Sequence, residues 1–174
     1  MRRKKKKLLM KRLNNLISLM TFLFVCVAMQ VNAKKPVVFS PPQYDIRCGG
    51  SGTQGYYIVE VSAVVDKASE IGEDVVLKCS VHGVLFRGFT GTGGCTSQRP
   101  LTGSAMQEQQ HSEYYSAFFQ NGNYSNYATM VSGSLKTSRV GKKYKVSGIV
   151  SVAKDQLRHD LEKAGMIRGL SSGF

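Results

Sequence analysis

The sequence predicts one α+β domain, an antiparallel or mixed sheet with helices packed on one face, placed after an N-terminal signal peptide. Three observations lead to this class. Tyr56 to Val65 alternates like a strand with one wholly apolar face, a helical pattern follows it directly, and two further alternating runs near the C-terminus precede a short amphipathic helix.

The first 33 residues read as the signal. Arg2, Arg3, Lys4, Lys5, Lys6, Lys7, Lys11 and Arg12 precede an apolar run from Leu16 to Val31, and Val31-Asn32-Ala33 puts small residues where a signal peptidase cuts. The 174-residue chain carries a formal charge of +13, but cleavage after Ala33 takes away 33 residues and eight of the 24 basic side chains. That leaves 141 residues with 16 basic and 11 acidic side chains, a net charge of +5, and the case for a nucleic-acid partner goes with the polybasic start. A retained membrane anchor is the alternative. It is disfavoured because the run holds Ser18 and Thr21 and falls short of the roughly 20 apolar residues a spanning helix needs, so membrane contact is expected only if the segment stays uncleaved. The expected location is outside the cytoplasm.

Residues 34–43 form a proline-containing extended tether, since Pro36, Pro41 and Pro42 lack amide donors and bias their neighbours away from helix. The single domain then spans 44–174, a length that supports one core and not two. In its first strand, Tyr57, Val59, Val61, Ala63 and Val65 share the apolar face, and Tyr56, Ile58, Glu60, Ser62 and Val64 the mixed one. Asp66-Lys67-Ala68-Ser69 turns into a helix with Glu70, Glu73 and Asp74 at its positive end, and Ile71, Val75, Cys79, His82 and Phe86 recur at helical spacing. From Val81 onward apolar residues surround that helix, so its last turns should be the most enclosed part of the domain.

Arg99 to Gly103 reads as a short strand or a loop, and Ala105 to Gln120 as a helix in which Met106, Tyr114 or Tyr115, and Phe118 or Phe119 pack. Asn121 to Asn126 is a turn-rich break. Tyr127 to Val140 and Lys143 to Val152 are expected as two strands of a hairpin, followed by a helix from Lys154 to Ala164 that turns Leu157, Leu161 and Ala164 inward and pairs Arg158 with Glu162. Met166, Ile167, Leu170 and Phe174 make the C-terminal segment apolar enough to dock back, with the helix end around Val84, Leu85, Phe86 and Phe89 as its expected receiver.

Three cysteines follow the signal, in a compartment where thiols oxidise. Cys48 and Cys95 both lie in glycine-rich loops and are the pair that a bridge would join, whereas Cys79 falls inside the helical pattern as a small core residue. Three free thiols are the alternative.

The chain shows no phosphate-binding loop and no nucleophile with a base at a recognisable spacing. Cys79 and His82 stand at i,i+3, but two ligands are too few for zinc, which takes at least three from the protein. No metal, cofactor or catalytic residue is therefore assigned. His111 and His159 read as solvated, the latter beside Asp155, and Glu60 and Asp66 as surface charges. The aromatic stretch Tyr114, Tyr115, Phe118, Phe119, Tyr124 and Tyr127 has few basic residues interleaved with it, which favours packing over base stacking.

A glycine lead-in, an aromatic-aliphatic strand and a long helix, in that order, resemble the small α+β domains of FlgT-like flagellar assembly proteins and of the N-terminal domain of TolB. The run from Lys154 to Gly165, with Arg168-Gly169-Leu170 after it, resembles exported envelope proteins of Bacteroidetes type. The resemblance implies an interaction domain of the periplasm or outer membrane and not an enzyme. The expected function is thus a non-catalytic envelope assembly or protein-interaction module that binds an envelope protein or itself. The alternative is a small exported ligand binder or enzyme that uses a residue such as Cys95 or Tyr114.

Overall fold

The computed structural model describes residues 39–91 and 95–169. The expected signal peptide and the first half of the tether lie outside the described residues. Five antiparallel strands form one sheet: β1 (Gln43–Gly50), β2 (Tyr57–Val65), β3 (Ala128–Met130), β4 (Lys136–Val140) and β5 (Lys143–Val152). The order is β1-β2-β5-β3, with β4 paired to β5 further along the same edge as β3. Four helices complete the domain: α1 (Glu73–Phe86), α2 (Met106–Gln110), α3 (Ser112–Gln120) and α4 (Lys154–Lys163). The protein is thus an α+β domain built on a five-stranded antiparallel sheet.

The sheet has the two-sidedness that the alternation in β2 demands. Val59, Val61, Ala63 and Val65 are buried, and in register with them lie Val150, Gly148, Val146 and Tyr144 of β5. On the opposite face Ile58, Glu60, Ser62 and Val64 are only half-buried, as expected where helices cover one side of an antiparallel sheet. Strand β1 was not anticipated. Tyr44, Ile46 and Cys48 alternate with Asp45 and Arg47 and pair with Ala63, Val61 and Val59, but the short run ends in glycines and reads as loop when taken alone.

The chain reaches α1 through a 3-10 turn at Ala68–Glu70 and an extended Gly72, so the helix proper begins at Glu73 and not at Asp66 to Ser69. Every residue from Cys79 to Phe86 is buried, because the sheet lies beneath α1 and α3 beside it, where Tyr115 meets Phe86 edge-on at 4.8 Å. The end of α1 is also capped: Leu101 and Thr102 donate their amides to the carbonyls of Val84 and Leu85, at 2.9 and 3.1 Å. The segment read as strand or loop therefore occupies the surface expected to receive the C-terminal tail. Met166 and Ile167 pack against the core, and residues 170–174 lie outside the described residues.

Two long elements divide. The helix expected over Ala105 to Gln120 breaks at His111, whose backbone (φ −117°, ψ 36°) leaves the helical region, and Met106 is exposed instead of packed. The strand expected over Tyr127 to Val140 becomes a 3-10 turn, β3, a loop and β4. At the interruption the Ser134 hydroxyl accepts from the Ile149 amide at 3.0 Å and lies 2.6 Å from the Val131 carbonyl, so one side chain fills the gap in the ladder. In α4, Leu157 and Leu161 are buried and Arg158 pairs with Glu162 at 2.8 Å as expected, whereas Ala164 is exposed.

Cys79 is fully buried as a free thiol, and burial pushes its pKa up to about 12. Cys79→Ser should lower stability by about 1–3 kcal/mol, the cost of placing a hydroxyl where a thiol sat without a ready partner, measured by urea unfolding. An unchanged midpoint would contradict the packing role.

Candidate functional site

Three regions concentrate chemistry. The first is a buried polar chain across the seam between β1 and α1. His82 Nδ1 lies 2.5 Å from the Tyr44 hydroxyl, and its Nε2 lies 2.9 Å from Glu108 Oε1 on α2. A carboxylate can only accept, so Nε2 carries the proton and Nδ1 accepts from Tyr44. Aromatic rings of Phe39, Phe86 and Phe119 surround the imidazole, and burial holds its pKa below the ordinary value even though Glu108 pulls it upward. Burial likewise raises the Tyr44 pKa. Arg87 lies over the Tyr44 ring at 4.0 Å and donates to its backbone carbonyl at 2.9 Å.

Among the described residues the Cys79 thiol takes no hydrogen bond, so the i,i+3 pair with His82 is not what the histidine uses. The partners stand 38 and 26 residues away in sequence, and no local spacing could have shown them. With Tyr44 and His82 buried and Glu108 partly exposed, the chain ties β1, α1 and α2 together.

The second region is the loop end of the sheet. Cys48 and Cys95 form a disulfide across 47 positions of sequence, so Cys95 offers no free thiol to the alternative enzymatic reading. Beside the bridge lies a cleft of about 270 Å³ lined by Tyr56, Tyr57, Phe89 and Gln98 among others. The Tyr57 hydroxyl donates to Gln98 Oε1 at 2.8 Å, and Lys154 sits over its ring. Gln98 in turn donates to the Thr96 hydroxyl at 3.4 Å.

The third region is the outer edge of β4. All five of its residues are exposed, and its ladder runs to β5 alone. No acidic residue occurs between Glu113 and Asp155, while Lys136, Arg139, Lys142, Lys143 and Lys145 crowd the hairpin. Among the described residues only Lys143 of these five has an ion pair, with Asp66 at 2.9 Å. On the face turned away from α1 beside them Arg47 grips Glu60 through two hydrogen bonds of 3.0 and 2.9 Å. That bond, with the fields of Arg47, Lys136 and Lys145, holds the Glu60 pKa below its ordinary value. Val131, Leu135 and Val140 are exposed along the same edge.

The remaining candidates fall into place individually. His159 is exposed, and Asp155 pairs with Lys154 at 3.0 Å instead. His111 lies at the α2–α3 break, and Glu60 and Asp66 are paired surface charges. Tyr115, Phe118, Phe119 and Tyr124 are buried in the core, Tyr114 and Tyr127 pack against it, and Tyr124 and Tyr127 donate to Asp74 and Asp160. Comparison with known proteins adds no relative: no family model, curated protein or solved structure matches the chain.

Two measurements follow from this geometry. Replacing both Cys48 and Cys95 by Ala should lower stability by about 2–4 kcal/mol, the usual range for a bridge closing a long loop, read from urea unfolding. The second concerns His82, whose pKa lies lower in the folded protein than its ordinary 6.5. The unfolded chain then binds a proton that the native state refuses, so stability holds above about pH 6.5 and declines as the pH falls below it. This window lies above the one where Glu60, held below 4.5, begins to protonate. His82→Gln cannot charge, so its stability, although lower overall, should stay flat between about pH 7 and about pH 5. A slope in the variant equal to that of the native protein would assign the effect elsewhere.

Proposed function

We propose that the protein is an exported, non-catalytic envelope protein, periplasmic or outer-membrane-associated in a Gram-negative cell, that works by binding another polypeptide. The observation that carries this reading is the edge of β4. Three large apolar side chains, Val131, Leu135 and Val140, remain exposed there beside backbone groups that face no neighbouring strand among the described residues, and such edges recruit extended segments of other chains. The Cys48–Cys95 bridge is compatible with export, because disulfides persist in oxidising compartments.

The test is to express the full chain in a Gram-negative host, fractionate the cells and sequence the mature N-terminus. The expected result is a protein in the envelope fraction that begins at Lys34. Photo-cross-linking residues spread over the domain surface should then give discrete adducts with another polypeptide. A chain recovered in the cytoplasm with residues 16–31 intact, or one that forms no adduct at any position, would overturn the reading.

A further inference from the structure

We propose that β4 receives an extended acidic strand from its partner polypeptide; this inference rests on the reading of the domain as a binding module and names the partner's chemistry. The backbone geometry comes first. Val140 and Lys143 close the hairpin around Gly141 and Lys142, and Gly141 has φ 61° whereas Lys142 has no positive φ, the pattern of a tight two-residue turn with glycine at its first central position. In such a hairpin the closing pair exchanges both hydrogen bonds and the pairs alternate from there. Val140 and Ser138 therefore direct their backbone groups to β5. Thr137 and Arg139 direct theirs outward, where an added strand would find them.

Charge selects what is added. A second copy pairing edge to edge would bring two sets of Lys136 and Arg139 into one five-residue ladder with no acidic residue in it, and that concentration of like charge disfavours the pairing. An acidic strand meets the same residues as counter-ions, with Lys142 and Lys145 beside them. Alternation further places Lys136, Ser138 and Val140 on the side turned away from α1 and Thr137 and Arg139 on the other. Both faces of an incoming strand thus meet a cation, and Val131, Leu135 and Val140 supply apolar contact along its length. A strand that alternates acidic and aliphatic residues satisfies all three features.

The experiment uses the protein purified from cells expressing the full chain and a fluorescein-labelled peptide of alternating Glu and Val, with binding followed by anisotropy. Binding is expected to weaken with added salt, to be absent for the Lys-Val counterpart, and to shift the amide resonances of 136–140. The double variant Lys136→Glu, Arg139→Glu should bind more than about ten-fold more weakly, since like-charge juxtaposition at an interface costs several kcal/mol. Thr137→Pro removes an outward donor, a change that edge strands tolerate, and should weaken binding while the melting temperature stays near that of the native protein. Equal affinity for polyglutamate, or tighter binding to duplex DNA or to phosphatidylglycerol vesicles, would overturn the proposal in favour of plain ion exchange or of a different partner class. A cross-linking residue at Ser138 separates the two readings: adducts formed from Ser62 but not from Ser138 would sink the edge and leave the binding module standing.

Discussion

Helix α1 can lie flat on the sheet because position 83 carries no side chain. A Cβ on Gly83 would stand 2.6 Å from Ile46 Cδ1 and 3.2 Å from its Cγ2 on β1, closer than non-bonded carbon atoms sit, so a larger residue there would force the Ile46 side chain to shift. Much of the domain hangs on that close seat. It sets His82 within hydrogen-bond reach of Tyr44, lets Arg87 reach the Tyr44 carbonyl, and brings the chain leaving α1 back along β1, where the Cys48 amide meets the Thr90 carbonyl at 3.3 Å.

Elements whose burial follows a simple period were legible in the sequence. The two faces of β2, the Leu157/Leu161 side of α4 and the all-round burial of Val81 to Phe86 are set by how often an apolar residue recurs, which a linear reading can count. Breaks inside periodic stretches were not legible. Nothing in the run from Ala105 to Gln120 announces the kink at His111, and the run from Tyr127 to Val140 keeps enough alternation to hide the loop at 131–135. There a tertiary bond from Ser134 to β5 decides the outcome. Strand β1 shows the converse: its alternation was present but too short, and too close to glycines, to stand out before β2 was known to lie beside it.

The chemistry divides along the same line. Cys79 and His82 were singled out by spacing, yet the histidine serves residues of β1 and α2 that only the fold brings near. At the sheet edge the excess of lysine and arginine over acids was countable from the chain, and the pairing of Lys143 with Asp66 was not. Which charges remain unpaired is a property of the folded surface, and it is this remainder that gives the edge its character.

The two margins of the sheet are unlike each other, and this limits what the domain can build. At β1 the outer margin is engaged at two points by its own chain: Arg87 holds the Tyr44 carbonyl, and Thr90 engages Cys48 next to the disulfide. At the other margin Ser134 splits the run into two short pieces. Open-ended fibres need a subunit that offers two complementary surfaces, each free to take the next copy. With β1 engaged by Arg87 and Thr90 and the other margin interrupted at Ser134, the described sheet does not present the two equivalent, uninterrupted edges that such growth uses.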